Sequence, residues 1–415
     1  MKPETWCWLV ALVAAELYAA KPPTRWQDAP KVQARAEILW TKPICVESGR
    51  YVGWPTVCRL HNGELMAVFS GDRDEHICPW GKVQMIRSRD DGETWSAPRI
   101  IANGPLDDRD AGIVQLPDGE IVVTYFTSIA YRAPDIMKRH PEYRRHDEKI
   151  SEETVKAALG YFRLSSRDNG ETWTRPQKMD VVHAPHGPAL LKDGSLLMLG
   201  RAFRSRDSQG KNRNDFTVIG AARSTDGART WMSLCPEIAD RNGENSVPGR
   251  FHEPFVVEAD DGTLVGMVRY HGPDGHLRQT TSKDGGRTWT PMSATKMLGL
   301  PPHLVKLSDG TLVNVYGRRV AAAGFGEFAC ISTDHGVTWD VEHEIVLAPS
   351  HCGDLGYPAS CVLPDDTLVT VFYQQPAPGV KPCLFATKWR VKGPKARNGV
   401  GIGATHATSA SDPVK

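Results

Sequence analysis

An octapeptide ending in tryptophan recurs five times in this chain: SRDDGETW at Ser88–Trp95, SRDNGETW ending at Trp173, STDGARTW at Trp231, SKDGGRTW at Trp289 and STDHGVTW at Trp339. Each joins a Ser, an Asp, a Gly and a Thr, which bond readily to nearby backbone and tolerate a tight turn, to one large apolar ring that the turn can bury. The copy at Trp231 carries Ala228 where the others carry Gly. Turn chemistry accounts for every position, so the boxes are read as structural hairpin turns and not as catalytic motifs.

A second repeat runs in step with the first: LHNGELMAVF from Leu60, LPDGEIVVTYF from Leu116, LKDGSLLMLGR from Leu191, EADDGTLVGMVRY from Glu258, LSDGTLVNVYGRR from Leu307 and LPDDTLVTVFY from Leu363. Apolar β-formers flank an Asp-Gly or Asn-Gly type signal, the pattern of strand, tight turn, strand. After the first five copies another β-rich run leads into a box, giving four short antiparallel strands per unit. The sixth unit has no box and ends in CLFATKWRV, while AEILW at Ala36–Trp40 is a stray early strand. The expected fold is all-β: a six-bladed β-propeller over residues 36–392, its last blade completed by that early strand, so that ring closure removes the sheet edges.

Between residues 133 and 159 the strand rhythm breaks. SEETVKAAL, with Ser151 as N-cap and acids in the first turn, predicts a short helix inside an excursion between the second and third strands of blade 2. The segment 393–415 is small and polar and is expected to be disordered. At the other end, Lys2, an apolar run from Trp6 to Ala15 and small residues at Ala19 and Ala20 resemble a secretory signal over residues 1–20, against which Glu4 and Glu16 count; the expectation is an exported protein. No segment reads as a membrane span. Lys plus Arg (50) balance Asp plus Glu (49), which leaves no overall basic field to hold nucleic acid. The eight cysteines from Cys45 to Cys383 include no CxxC pair, so they predict no zinc site and name no disulfide connectivity.

Strand direction selects a face. The Asp-Gly turns and the boxes share one rim, so the opposite rim is built from residues just before first strands and just after second strands. Those positions hold Trp54, Arg109 with Asp110, His183 with His186, Glu253, His303 and Tyr357, then Asp72, Arg73, Asp74 and His76, Arg201 with Arg204, Arg269 with His271, Arg318 with Arg319, and Tyr373. Rigid strands carrying polar loops are where a propeller holds a ligand. Several arginines at one mouth suit an anionic ligand, because guanidinium matches carboxylate bidentately.

On these residues the chain resembles the exo-α-sialidases, from about Trp40 to Val391. FHEPFVVEADDGTLVGMVRY looks like the sialidase segment that carries the glutamate assisting the nucleophile and one arginine of the carboxylate triad, which implies those roles for Glu253 and Arg269. GDLGYPASCVLPDDTLVTVFY resembles the nucleophilic-tyrosine segment and implies Tyr357; GRR late in blade 5 offers Arg318 or Arg319 as another triad arginine; PHGPALLKDGSLLMLGR around His186 also resembles the family's third blade. Two departures stand out. YVGWPTV has Gly53 and Trp54 where the family has an arginine, and the stretch expected to hold the acid/base aspartate reads GDRDEHICPWGK. Arg73 or Arg109 are the candidates to compensate for the first, and His76, Asp72 or Asp74 for the second; Trp54 is a candidate stacking platform for a sugar, and Arg201 a further substrate contact.

The resemblance implies a retaining exo-glycosidase that releases a terminal sialic acid or related acidic sugar from a glycan, with a phenol in place of an anionic nucleophile and no cofactor or metal. Two alternatives stand beside it: a hydrolase of the same fold acting on a different sugar, and a non-catalytic glycan-binding propeller. A hydrolase requires the Tyr357 hydroxyl and the Glu253 carboxylate to touch. Nothing in the sequence specifies the oligomeric state.

Overall fold

The computed structural model describes residues 28–203, 217–244, 247 and 249–393. The expected leader, the tail beyond residue 393 and Arg204 lie outside the described residues. Six four-stranded antiparallel sheets follow one another around a ring. Their innermost strands are Tyr51–Arg59, Asp107–Gln115, Ala189–Leu190, Phe251–Glu258, Pro302–Lys306 and Leu355–Val362, for blades 1 to 6 in order. The early strand, Ala36–Cys45, pairs antiparallel with Cys383–Val391 as the outer strand of blade 6, so the ring is closed by the first and last of its described strands. Among the described residues no helix is long and apolar enough to cross a membrane.

The turns behave as their composition dictates. Gly63, Gly119, Gly194, Gly262 and Gly310 take positive φ in the first five Asp-Gly or Asn-Gly turns, and Asp366 does so in the sixth. In the first box, Ser88 Oγ accepts from the Gly92 amide at 2.9 Å, Asp90 accepts from the Thr94 amide at 2.8 Å and its hydroxyl at 2.6 Å, and Trp95 Nε1 donates to the Gly92 carbonyl at 3.0 Å. The second and fourth boxes repeat that set. In the third box Ala228 is forced to a φ of 65°, and in the fifth Trp339 turns its Nε1 to Gln279 instead. These polar groups bond one another, in keeping with a structural turn whose Trp packs against a neighbouring blade.

Apolar clusters fill the blade interfaces, each uniting residues of adjacent sheets, such as Leu65, Phe69 and Val57 with Val369, Val371 and Ala359 between blades 1 and 6. Blades 2 and 3 approach each other closely. A Cβ on Gly112 would lie 2.3 Å from the Gly187 amide nitrogen and 2.4 Å from the His186 carbonyl carbon, so backbone meets backbone there. Gly112→Ala is therefore expected to destabilise the ring by about 1–3 kcal/mol or more, because neither neighbour is a flexible side chain that could yield. A urea midpoint unchanged from the parent would contradict this.

The excursion of blade 2 leaves Ile121–Ser128, forms three short helices, Pro134–Arg139, Pro141–Asp147 and Glu152–Ala158, and returns at Tyr161–Ser166. Ser151 caps the third helix by accepting from the Thr154 amide at 3.1 Å. Tyr131, Ile136 and Tyr143 bury themselves against Cys78 and Trp80 of the blade 1 loop, which fastens the excursion to the mouth. All eight described cysteines are free thiols.

Candidate active site

Four inner strands carry the same irregularity. Pairing skips two residues between Gly53 and Thr56, Arg109 and Gly112, His252 and Phe255, and Gly356 and Ala359. The first residue of each bulge is left-handed: Trp54 at φ 57°, Asp110 at 46°, Glu253 at 42° and Tyr357 at 54°. A β-carbon makes that conformation costly, by about 1–3 kcal/mol per residue. In three bulges the next residue is proline, which has no amide hydrogen to leave unpaired when the ladder is interrupted. The result is functional geometry: four side chains from blades 1, 2, 4 and 6 leave the sheet surfaces and converge at the axis.

Tyr357 and Glu253 touch there. The phenol donates to Glu253 Oε1, and Arg269 Nη1 donates to Glu253 Oε2 and also reaches the Tyr357 oxygen at 3.2 Å. Tyr357 is only 5 % exposed. Burial, and then the adjacent Glu253 charge, push its phenol well above the ordinary range. Burial would raise Glu253 too, but the Arg269 charge and the hydrogen bond from Tyr357 outweigh it and hold the carboxyl ionised, below the usual range. A protonated phenol thus sits against a charged acceptor. Arg319 completes this group, donating from Nε to the Leu355 carbonyl at 2.8 Å and from Nη2 to the Tyr373 hydroxyl at 2.8 Å, with its guanidinium 5.8 Å from the Tyr357 ring centre.

Arg318, the alternative offered by the same GRR, lies elsewhere. It bonds the Leu298 carbonyl at 3.0 Å, pairs with Glu344 and covers the Phe328 ring, because adjacent residues at a strand end face opposite ways. Arg73 and Arg109 are near the mouth but already committed. Arg73 is fully buried and forms a two-point ion pair with Asp107, and Arg109 donates to the His76 carbonyl at 3.0 Å and to Asp107 at 3.4 Å. Both guanidiniums lie over the Trp54 ring, 5.0 and 4.4 Å from its centre, and Tyr51 stacks on it at 5.5 Å. With 1 % of its surface exposed, Trp54 is a packing element and offers no open face to a sugar, contrary to the platform expected from sequence.

The acid/base candidates fare unequally. His76 packs edge-on against Trp54 at 4.9 Å and bonds Tyr51 through Nδ1 at 3.1 Å. Burial, together with the charges of Arg109, Arg319 and Arg73, lowers its ring to about 3, so at neutral pH it has no acidic proton of the kind expected from sequence. Asp72 and Asp74 pair with Arg50, and Asp72 also with Lys82; these partners outweigh partial burial and keep the Asp72 carboxyl below its ordinary value.

Sequence reasoning named Asp110 only as a neighbour of Arg109 and gave it no role. It is 5 % exposed, its Oδ1 has no hydrogen-bond partner, and the nearest cation is Arg109 at 3.8 Å. Burial raises its carboxyl to about 7, with Arg109 opposing and Glu253 adding to the rise. A signal was present: Trp54, Asp110, Glu253 and Tyr357 each stand eight residues before the Asn or Asp that opens the turn of the same blade, Asn62, Asp118, Asp261 and Asp365. His186 lies beneath Tyr357, ring centres 6.1 Å apart, with Nδ1 on Thr56 at 3.0 Å, and burial lowers it to about 4. Arg201 is close enough to the cluster for Glu253 and Tyr357 to act on its charge. Among the described residues no group of three His, Cys, Asp or Glu side chains could hold a metal ion.

Comparison with known proteins agrees with this architecture. The BNR repeat-like domain family matches residues 148–371. A sialidase of Bacteroides fragilis is 23% identical over 346 residues, covering 76% of this chain and 58% of that protein. A sialidase of Micromonospora viridifaciens is 23% identical over 408 residues, covering 91% of this chain and 58% of the relative. The chain therefore spans little more than half the length of these curated relatives. A crystal structure of a protein of unknown function from Dyadobacter fermentans superposes with a TM-score of 0.69 at 23% identity, over 86% of this chain and 99% of that one. The matched stretch exceeds half the sequence and runs from the blade 2 excursion through Glu253 and Arg269 to Tyr357, and on that footing the chain belongs to the BNR repeat-like domain family.

Proposed function

We propose that the protein is an exo-acting, retaining glycoside hydrolase of the sialidase type, cleaving a terminal acidic sugar from a glycan. The observation that carries this reading is the three-way contact of Tyr357, Glu253 and Arg269. It favours a hydrolase over a glycan-binding propeller, which has no need of a phenol hydrogen-bonded to an ionised carboxylate. A carboxylate on the anomeric carbon repels an anionic nucleophile, whereas a phenol can approach neutral. Tyr357 Oη attacks the anomeric carbon as its proton passes to Glu253, and the departing oxygen takes the proton of Asp110. Water then gives a proton to the Asp110 carboxylate and displaces the tyrosine, which recovers its own proton from Glu253. Two inversions at one carbon retain configuration. Arg269 and Arg319 hold the substrate carboxylate.

A second reading of substrate follows from Trp54. Beside it, Gly53 occupies the place of the family's first arginine, and Asp107 engages Arg73 and Arg109, so two arginines carry the carboxylate. This favours acidic sugars other than sialic acid as additional substrates.

The test is to incubate the purified protein with aryl sialosides and aryl glycosides of other acidic sugars, observing the first-released anomer by proton NMR. Retention on any of them supports the reading; release with inversion, or no release from the whole set, overturns it. Because Asp110 must be protonated to act, kcat/KM should fall as pH rises through about 7. Asp110→Asn should remove that alkaline limb and lower kcat/KM on natural glycans by about 10²–10⁴-fold, with little effect on kcat/KM of substrates whose leaving group needs no proton, although their kcat should fall because the water step also uses Asp110. An unaltered pH profile in the variant would assign the proton to another group.

A further inference from the structure

Arg269 is held on both sides. While Nη1 bonds Glu253, its Nε donates to the imidazole Nε2 of His271 at 2.6 Å. A guanidinium has only donors, so His271 Nε2 must carry a lone pair and the ring proton must sit on Nδ1. His271 is solvent-facing, just past the end of the strand that carries Arg269, and its own carbonyl accepts from Arg250 Nη1 at 3.1 Å. The ring of His252, tilted against it at 4.5 Å, donates Nε2 to the Gly249 carbonyl at 2.8 Å. Among the described residues, the charged and titratable groups that face His271 are thus Arg269, Arg250, His252, Glu253 and Arg201.

We propose that His271 is a positioning residue that locks the Arg269 guanidinium in its substrate-facing orientation, and that protonation of its ring unlocks it. The inference deepens the reading of Arg269 as a carboxylate holder and rests on it. The imidazolium has no lone pair for Arg269 Nε, and it sets a second cation at hydrogen-bond distance from the first. Arg269 then swings away, taking with it one arm of the substrate clamp and one hydrogen bond to Glu253. Desolvation of the inner edge of the ring, then the charges of Arg269 and His252, hold it down to about 4, so the lock is closed at neutral pH and opens as pH falls through that region. The same ring therefore sets an acid limit to binding, independent of the alkaline limit set by Asp110.

Two measurements test this. In ¹⁵N-labelled protein, His271 should show the Nδ1-protonated tautomer and titrate well below the ordinary histidine value, and Arg269→Lys should move that titration upward. A ring protonated on Nε2, or one titrating near 6.5 in the parent protein, overturns the proposal. In kinetics on an acidic glycoside, KM of the parent should rise on acidification below about pH 5. His271→Ala should raise KM about tenfold at every pH, the scale of one lost hydrogen bond to a charged group. His271→Gln, whose side-chain oxygen can accept from Arg269 and does not titrate, should fall between the two and be flat in acid. An acid rise in KM that persists in His271→Gln overturns the proposal. If no acidic glycoside is turned over, the hydrolase reading has failed and the NMR result alone decides the role of His271.

Discussion

Replacing Tyr357 by phenylalanine is expected to reduce kcat by at least about 10³-fold while leaving the ring folded, since members of a coupled catalytic unit fail together when one is lost. The substitution removes one oxygen. Glu253 keeps its ion pair with Arg269, so no carboxylate is stranded, and the Tyr357 ring keeps its packing against Trp54 and Tyr373 at 6.3 and 6.2 Å between centres. The thermal midpoint should therefore stay within a few degrees of the parent. A variant retaining more than about a tenth of the parent rate would remove Tyr357 from the chemistry. One that is inactive because it is unfolded would be recognised by its lost cooperative melt, and Glu253→Gln would then supply the second test of the same pair.

The second large effect is on stability. Arg73→Met should cost about 3–5 kcal/mol, because it leaves the Asp107 carboxylate without its ion-pair partner in a site where neither side chain reaches water. Arg109 stands 3.4 Å from Asp107 but cannot replace a two-point pair while it also bonds the His76 carbonyl. The loss should extend to the loop after the second strand of blade 1, since Arg73 also donates to the His76 carbonyl at 3.1 Å and the Glu75 carbonyl at 3.3 Å. Arg73→Met combined with Asp107→Asn should recover much of the deficit, as removal of both charges eliminates the stranded one. Equal urea midpoints for the single variant and the parent would show that Asp107 finds another counter-charge.

The ring was legible from sequence because its signals are local and repeated. Glycine at a left-handed turn position, aspartate bonding its own loop and tryptophan folding back three residues are decided within eight positions. The shared rim followed from strand direction alone, while the resemblance singled out Tyr357, Glu253 and Arg269 on it and left Arg318 and Arg319 as alternatives. What strand alternation could not supply was side-chain direction at irregular points. Arg318 and Arg319 are adjacent and chemically identical, and only their opposite faces separate a Glu344 partner from a Tyr373 partner. Trp54 had the composition of a sugar platform, but Arg73, Arg109 and Tyr51 reach it from three places distant in sequence and cover it. His76 has a neutral-range ring in isolation; three arginines and burial decide otherwise. Asp110 shares its spacing to the turn with Tyr357 and Glu253, but its raised carboxyl comes from burial among residues distant in sequence, which composition does not display.

The pairing of Ala36–Cys45 with Cys383–Val391 governs how such a chain is made. The first strand of the ring has its mate at the ring's far end, so it leaves the ribosome with an unsatisfied row of amides and carbonyls and must wait for the rest of the propeller to follow. Until then blade 6 consists only of its two inner strands, Leu355–Val362 and Leu368–Gln374, and its flank is open to a second chain. Folding of the last blade thus waits for the strand Cys383–Val391, and loss of that strand would leave Ala36–Cys45 and Leu368–Gln374 as adhesive edges.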